Sequence, residues 1–332
     1  MMMKKNKVAI IIGGSGYIGT NLTNRLIEEK IFHKIYIFDI KPICKEINNS
    51  SVLYSHIDIR NSIDVKIENI DVDHSWIFNF AAVHREPGHS FHEYFDTNIP
   101  GARNCVQFAK NIGIKNIFFT SSIAPYGRAK TQRTEQSEIY PETAYGISKS
   151  LAEQIHKNWL YQNSSRRLVI VRPSVIFGPN DPGNVYRMIK SLKEGLFVLP
   201  NGGNIIKAYG YIHGLLDSIL FTMAKRESFI LYNYAENPTL PLKKMVKITK
   251  NCLNIKKPTF KINIKIIFLL ATFYYFLKKI IGGETDIHPV RVRKLVFSTN
   301  IKPKYLIDNK FEFKYDYEKA LKHWIKISPE EF

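Results

Sequence analysis

Val8-Ala-Ile-Ile-Ile-Gly-Gly-Ser-Gly-Tyr-Ile-Gly19 is the stretch that decides the fold. Its five leading apolar residues predict a first buried strand. The glycines Gly13, Gly16 and Gly19 follow with the spacing G-x-x-G-x-x-G, which suits a tight turn, a close backbone approach to a pyrophosphate and close helix–strand packing, in that order. With Tyr17 and Ile18 opening the next helix, the stretch predicts a phosphate site at a helix N-terminus.

Strand and helix patterns alternate through residue 172. Short β-branched runs separate longer periodic stretches, and this alternation predicts an α/β fold with a Rossmann-like, doubly wound parallel sheet. The predicted strands are Val8–Ile12, Ile35–Phe38, Ser51–Ser55, Trp76–Asn79, Asn116–Ser121 and Leu168–Arg172, and the predicted helices are Tyr17–Glu29, His92–Asn111 and Thr143–Tyr161.

An acidic residue closes the second predicted strand. Asp39 lies 20 residues after Gly19, where a carboxylate can accept hydrogen bonds from the adenosine ribose and repel a 2′-phosphate. This position favours NAD over NADP. Asp58 and Ile59 follow the third predicted strand, at a place where a side chain can bind the adenine amino group.

The chain divides into two predicted domains. Residues 1–172 are expected to form the NAD-binding Rossmann domain, and residues 173–332 a smaller, mostly C-terminal cap that is helical, basic and substrate-binding. Proline and glycine cluster at 177–183 and 199–203, which predicts loops. A predicted strand at Phe229–Asn233 returns to the main sheet, so the two domains are expected to interleave.

Three hydroxyl and amine side chains form the candidate catalytic set. Tyr145 and Lys149 are four residues apart and therefore share one helical face. A nearby ammonium lowers the phenol pKa from about 10, so that Tyr145 can exchange a proton with a sugar hydroxyl while hydride moves to or from a nicotinamide. Ser122 follows the strand Asn116–Ser121 and emerges at the carboxyl end of the sheet, where ligands bind.

At this point the chain resembles the extended short-chain dehydrogenase/reductases, especially the NAD-dependent sugar epimerases and dehydratases. The resemblance covers nearly the whole chain. It rests on the glycine loop, Asp39, Asp58-Ile-Arg60, Asn79-Phe-Ala-Ala82, Asn98, Ser122, Tyr145-x-x-x-Lys149 and Arg172-Pro-Ser-Val-Ile-Phe-Gly-Pro179, all in the family order.

The resemblance implies a role for each matched residue. Tyr145 is the implied acid/base, Lys149 its activator and a ribose ligand, and Ser122 the group that polarises the substrate hydroxyl. The cofactor pocket is implied to include Ala81, Ala82, Asn98 and Pro173, with Asn98 as a structural support. The resemblance also implies a homodimer.

Two departures from the family pattern narrow the reaction. Sugar 4,6-dehydratases carry an Asp-Glu pair just after the active-site hydroxyl, but this chain has Ile123 and Ala124 there, so dehydration is not expected. UDP-galactose epimerases carry an arginine before their Tyr-Ile-His segment, and it holds the substrate diphosphate. This chain has none there, and Lys207, Arg291 or Arg293 is the candidate replacement.

Two segments resemble a smaller group of enzymes. The segments Ala81–Glu86 and Gly183–Tyr186 are similar to enzymes that epimerise N-acetylhexosamine at C4 on undecaprenyl diphosphate, during surface-polysaccharide (O-antigen) assembly. We therefore expect an NAD-dependent C4 epimerase of a sugar diphosphate, nucleotide- or polyprenyl-linked. The alternative is a 4-keto-sugar reductase or dehydrogenase, which needs the same triad. The predicted substrate contacts are His84, Arg85, Ser122, Asn184, Lys207 and Arg291.

The chain carries a net charge of +19, and most of the excess lies in its second half. Residues 171–332 hold 27 lysine and arginine residues against 13 acidic ones. The lysines alternate with apolar residues and lack the aromatic–basic clusters of a nucleic-acid module, so no nucleic-acid partner is expected. A diphosphate substrate, an anionic lipid surface and a simple solvated lysine surface remain open explanations.

An uncharged run of 12 residues, Ile266–Leu277, lies within this basic half. A bilayer-spanning helix needs about 20 apolar residues, so the run is not expected to cross a membrane. It is either a helix buried in the cap or an interfacial helix whose flanking lysines meet anionic headgroups. A cytoplasmic location is expected, with peripheral contact at the inner face of the membrane in the second case.

Metal and disulfide chemistry are not expected. The three cysteines are widely spaced and match no metal or disulfide pattern, which favours a reducing cytosol. His84, His89 and His92 do not share one helical face and no carboxylate motif accompanies them, so no metal site is predicted.

Overall fold

The apolar residues that follow Lys7 form a fully buried first strand, and six further parallel strands assemble around it. The computed structural model describes residues 5–45, 47–85, 88–181, 183–282 and 297–332. The strands in this part of the chain are β1 (Val8–Ile12), β2 (Lys34–Asp39), β3 (Val52–His56), β4 (Trp76–Asn79), β5 (Asn116–Thr120), β6 (Ala129–Arg133), β7 (Arg167–Pro173), β8 (Val175–Phe177), β9 (Val198–Pro200), β10 (Ile206–Lys207), β11 (Tyr209–Tyr211), β12 (Phe229–Tyr234), β13 (Leu240–Pro241), β14 (Phe260–Ile262) and β15 (Thr299–Ile301).

Helices connect these strands. They are α1 (Tyr17–Glu28), α2 (Phe91–Ile112), α3 (Ala144–Tyr161), α4 (Asn184–Glu194), α5 (Ile212–Met223), α6 (Leu242–Cys252), α7 (Ile264–Ile280), α8 (Lys304–Asp308) and α9 (Tyr317–Ile327). Short 3-10 turns lie at Ala124–Tyr126, Asn201–Gly203 and Pro329–Glu331.

The main sheet has the order β12-β7-β5-β4-β1-β2-β3, and every pairing in it is parallel. Successive side chains of β1 enter opposite cores: Ile10 packs with α2 and α3, and Ile11 packs with α1 and α5. Helices therefore cover both faces, and the predicted α/β, doubly wound architecture is confirmed.

The strand order reverses between β1 and β4, which are neighbours in the sheet. In a doubly wound sheet, ligands bind in the crevice at the carboxyl ends of the strands on either side of such a reversal. Gly13 follows β1 and Ala81 closely follows β4, so the two loops that the sequence assigns to the cofactor meet at this crevice.

The second half of the chain contributes both to the main sheet and to a smaller layer. Strand β12 pairs with β7 as the edge strand, which confirms the predicted return at Phe229–Asn233. The prediction of a helical cap is incomplete, because β8–β11, β9–β14 and β10–β13 form small two-stranded sheets and β15 pairs with β6 of the first half. These strands have only two to five residues, too few for a periodic pattern to reveal.

Helix α7 contains the uncharged run Ile266–Leu277. Eight of its large apolar side chains are exposed, from Ile266 to Ile280, whereas Ala271 on the opposite side is buried. The interpretation of this run as a helix buried within the cap is therefore wrong for one whole face. Among the described residues no helix has the length and apolar character needed to span a membrane.

Candidate active site

The glycine loop after β1 is built for close backbone approach. Gly13 has φ +80°, and a Cβ there would lie 2.6 Å from the backbone nitrogen of Ala81. A Cβ on Gly19 would lie 2.5 Å from the carbonyl oxygen of Gly13. Only glycine allows both approaches, so the first turn of α1 packs directly on the loop and the loop touches the segment after β4.

The N-terminus of α1 faces this crevice without a side-chain cap. Gly16 is the N-cap residue and has no side chain to offer. The first-turn backbone N–H groups, including those of Tyr17 and Ile18, carry the positive end of the helix dipole and suit an anion. This donor set fits the pyrophosphate of a dinucleotide.

Asp39 ties the glycine loop to the end of β2. Its Oδ2 accepts a hydrogen bond from the Ser15 backbone nitrogen at 3.0 Å, and its Oδ1 accepts one from the Lys41 backbone nitrogen at 2.9 Å. A carboxylate oxygen can accept more than one hydrogen bond. Both oxygens thus keep capacity to accept further hydrogen bonds, such as those a ribose diol would donate.

Asp58 and Ile59 lie in the loop after β3 in different surroundings. The guanidinium of Arg60 donates to the Asp58 carboxylate, with Nε at 2.8 Å from Oδ2, and these bonds hold the pKa of Asp58 below its ordinary value. Ile59 is buried, and its carbonyl accepts from Asn104 Nδ2 at 2.8 Å. The predicted adenine contact therefore involves a carboxylate that already has a basic partner.

Two consecutive serines leave β5, and the structure separates their roles. Ser121 is buried and its Oγ donates to Glu153 Oε1 at 2.5 Å. Ser122 Oγ instead accepts from the Ala124 backbone nitrogen at 3.1 Å and lies in a partly exposed turn. Ser122 is thus the one of the two serines whose hydroxyl lies outside the buried network, and its predicted contact with a substrate hydroxyl stays a prediction.

The first turn of α3 brings Tyr145 close to the Ser122 turn. Thr143 caps the helix by accepting from the Gly146 backbone nitrogen at 3.1 Å. A Cβ on Gly146 would lie 2.9 Å from the carbonyl oxygen of Ala124. The glycine beside Tyr145 therefore lets α3 touch the segment that carries Ser122. The sequence analysis did not identify this close approach, although a glycine next to the candidate acid/base is its signal.

Lys149 lies one turn further along α3 and is buried. Its Nζ is 4.5 Å from the centre of the Phe119 ring. Burial lowers the pKa of Lys149 to about 7, and the negative charge of Glu153 opposes this effect. The charge of the candidate activator thus depends on a carboxylate one turn away.

That carboxylate belongs to a buried network that the sequence analysis did not identify. Glu153 accepts from Arg172 Nε at 2.8 Å and from Arg172 Nη2 at 2.7 Å, and both side chains are buried. Arg172 also stacks over Tyr126, with its guanidinium carbon 4.8 Å from the ring centre. Since Ser121 shares the same carboxylate, the network joins β5, α3 and β7 directly behind the catalytic candidates.

Asn98 supports the loop after β4. Its Oδ1 accepts from the Val83 backbone nitrogen at 2.9 Å, and its Nδ2 donates to the Val83 carbonyl and to Ser148 Oγ at 3.1 and 2.9 Å. The amide therefore binds the loop and α3 together. Ala81 and Ala82 lie in this loop, and Pro173 ends β7 with its carbonyl accepting from Ile123.

The predicted substrate residues are less tightly grouped. His84 and Arg85 are exposed, and the Arg85 carbonyl accepts from the Tyr94 hydroxyl at 2.5 Å. The Tyr94 ring lies 6.2 Å from that of Tyr145, which places this loop beside the catalytic helix. His89 and His92 pair with different carboxylates of α2, Glu93 and Asp96.

The cap supplies the remaining substrate candidates. Asn184 begins α4 and its Oδ1 accepts from Arg187 at 2.8 Å. Lys207 lies on β10, where its Nζ donates to the Phe297 carbonyl at 2.6 Å and burial lowers its pKa to about 8. Arg291 and Arg293 lie outside the described residues.

Comparison with known proteins gives a consistent result. Residues 9–234 match the NAD-dependent epimerase/dehydratase family. The chain is 30% identical, over 89% of its length and 87% of the relative's, to the N-acetyl-α-D-glucosaminyl-diphospho-ditrans,octacis-undecaprenol 4-epimerase of Escherichia coli O157:H7.

Solved structures share the fold at low identity. A UDP-galactose 4-epimerase has a TM-score of 0.72 with 17% identity, over 98% of this chain and 99% of that one. WbmG of Bordetella bronchiseptica, solved with NAD and UDP, has a TM-score of 0.71 with 16% identity, over 98% and 96% of the two chains.

Proposed function

The chain belongs to the NAD-dependent epimerase/dehydratase family, and on that premise we propose that it is a C4 epimerase of an N-acetylhexosamine carried on a polyprenyl diphosphate. The enzyme is of the extended short-chain dehydrogenase/reductase type, and its cofactor is NAD. The observation that carries the finer proposal is the similarity, across most of both chains, to an epimerase whose substrate is an undecaprenyl-linked sugar. The lysine-rich second half supports it, because such a substrate is anionic and lies at a membrane.

The residues of the crevice suit NAD. The first turn of α1 beyond Gly16 would hold the pyrophosphate, and Asp39 the adenosine ribose. Lys149 would hold the nicotinamide ribose. Bound NAD supplies a reversible hydride acceptor.

The proton chemistry falls to Tyr145. As phenolate it would take the proton of the 4-hydroxyl as C4 gives its hydride to the NAD that the crevice would hold, which yields a 4-keto sugar. After the sugar presents its other face and C4 regains the hydride, Tyr145 would give the proton back to the oxygen. Atoms and charge balance over the cycle. Ser122 orients the same oxygen by a hydrogen bond, and the Lys149 ammonium favours the phenolate.

A comparison of carriers tests the proposed substrate. We expect the purified protein to interconvert N-acetylglucosamine and N-acetylgalactosamine on a polyprenyl diphosphate with a kcat/KM at least about tenfold above that for UDP-N-acetylglucosamine, a factor worth roughly 1.4 kcal/mol. Proton NMR of the released sugar reports the configuration at C4. Tyr145→Phe protein serves as the blank.

Each other outcome has a defined meaning. An equal or higher kcat/KM for the UDP-sugar would contradict the lipid carrier and leave the C4 epimerase intact. If neither carrier yields the C4 epimer, the proposed function is wrong.

A further inference from the structure

Helix α7 departs from the pattern of the other cap helices. In α6, apolar side chains such as Leu242, Met245 and Val246 are buried, and the lysines between them face solvent. That amphipathic arrangement is usual for a helix on a protein surface. Between Lys265 and Lys278, α7 has no charged residue at all, so it cannot present a charged face to water along that stretch.

The exposed side of α7 forms one continuous apolar face. Leu269 is 69% exposed, Phe273 64% and Ile280 81%, whereas Ala271 on the far side is only 5% exposed. At 3.6 residues per turn the exposed positions span about 160° of the helix circumference. We call this set the α7 face; its members are Ile266, Leu269, Leu270, Phe273, Tyr274, Phe276, Leu277 and Ile280.

The stretch of sequence that contains α7 is strongly basic. Residues 241–282 contain ten lysines and no aspartate or glutamate. Lys261 is exposed in β14 just before α7, Lys265 is exposed in the first turn of α7, and Lys278 and Lys279 lie near its end. A partner that binds this surface must therefore offer an apolar region to the α7 face and negative charges to the lysines on either side of it.

We propose that the α7 face lies flat in the interface of an anionic lipid bilayer. A 17-residue helix is about 25 Å long, and a helix that is apolar on one side with lysines at both ends can bury that side at the level of the headgroups. The lysine stems reach outward so that their ammonium groups meet lipid phosphates. An acidic protein could pair with the lysines, but it would also need an apolar surface complementary in shape to the whole α7 face, which a fluid bilayer does not need.

The proposed membrane surface depends on the proposed function in one respect, namely the reason why the enzyme would bind a membrane. A polyprenyl diphosphate sugar cannot leave the bilayer, so an enzyme acting on it must dock there. The argument from the exposed helix and the lysines stands without the identity of the substrate, and the experiment keeps the two apart.

Vesicle flotation tests the surface directly. The full-length protein is mixed with vesicles of phosphatidylcholine and phosphatidylglycerol in equal parts, or of phosphatidylcholine alone, at low and high salt. We expect flotation with the anionic vesicles at low salt and its reduction at high salt, since screening weakens the lysine contribution. The double variant Leu269→Gln/Phe273→Gln should lower the partition coefficient by at least about tenfold.

Matched controls separate a local effect from a general one. Leu196 and Tyr161 are 71% and 73% exposed but lie outside α7, so Leu196→Gln/Tyr161→Gln should float like the parent protein. Lys261→Glu/Lys265→Glu should weaken binding, whereas Lys302→Glu/Lys319→Glu should weaken it less. Turnover of a water-soluble sugar diphosphate is measured for every variant and should not change.

Three results would contradict the proposal that the α7 face binds a bilayer. The parent protein could fail to float at low salt, or the Leu269→Gln/Phe273→Gln protein could float as well as the parent. The α7 variants could instead convert a dimer into a monomer in sedimentation with vesicle binding unchanged, which would make a second copy the occupant. If the protein floats with the vesicles but turns over no sugar, the proposed function is contradicted and the proposed membrane binding is not.

Discussion

Tyr145→Phe should lower the rate of C4 epimerisation by roughly 10²–10⁴-fold, the usual contribution of a positioned acid/base. The substitution removes one oxygen atom and leaves the ring at the start of α3. Thr143 still caps that helix and Gly146 still packs on the Ala124 turn. We therefore expect the affinity for NAD to change little, because the pyrophosphate and ribose contacts come from other residues.

Single-turnover kinetics and a separate NAD titration measure the two quantities. Tyr94→Phe is the matched control, since its ring lies 6.2 Å from that of Tyr145 and its hydroxyl bonds to a loop carbonyl. That variant should keep turnover within a few-fold of the parent enzyme. If Tyr145→Phe retained full activity, the assignment of the acid/base would be wrong. A parallel loss of NAD binding would show a structural role instead.

Arg172→Met should lower the free energy of unfolding by about 3–5 kcal/mol. The reason is that the substitution removes the guanidinium partner of the buried Glu153 carboxylate. Glu153 would keep its bond from Ser121 Oγ but would lose both guanidinium hydrogen bonds while it stays buried inside the protein. Removing both charges together, in Glu153→Met/Arg172→Met, should restore part of the loss, because apolar side chains of similar size tolerate this environment.

Denaturant unfolding of the parent protein, of Glu153→Met, of Arg172→Met and of the double variant gives the coupling energy between Glu153 and Arg172. A double variant no more stable than Arg172→Met alone would contradict the account of the pair. The pH profile adds an independent readout. The negative charge of Glu153 raises the pKa of Lys149. In Glu153→Met protein the pKa of Lys149 should therefore fall, so that Lys149 loses its charge at a lower pH. Any activity that needs the Lys149 ammonium should be lost at the same lower pH.

Much of the sheet could be predicted from the sequence, for a physical reason. Strands buried on both faces are continuous apolar runs, so β1 and β4 have the bounds expected from their residues. The close packing of the glycine loop was also predictable, because few residue types allow such a backbone approach; the ribose contact of Asp39 stays a prediction. The strand bounds follow from local sequence, whereas the partner of Gly13 in this close approach, Ala81, lies far along the chain.

The features that escaped prediction depend on the tertiary fold. The pairing of Glu153 with Arg172 joins residues from a helix and a strand whose proximity only the fold sets. Ser121 and Ser122 are adjacent in sequence; the sequence singled out Ser122, and the bond of Ser121 to the buried Glu153 is evident only from the structure. The α7 face was one of two open interpretations, because an apolar run has the same composition whether it is covered or exposed.

The central claim is that C4 is oxidised and then reduced again by the same hydride, with Tyr145 moving the proton. A substrate carrying deuterium at C4 tests this most directly, with no NAD added and with mass spectrometry of the product sugar. We predict that the epimer keeps nearly all of its deuterium and that none appears in the solvent. Deuterium lost to water, or found in released reduced cofactor, would contradict the account: the first indicates direct proton abstraction at C4, the second a one-way dehydrogenase.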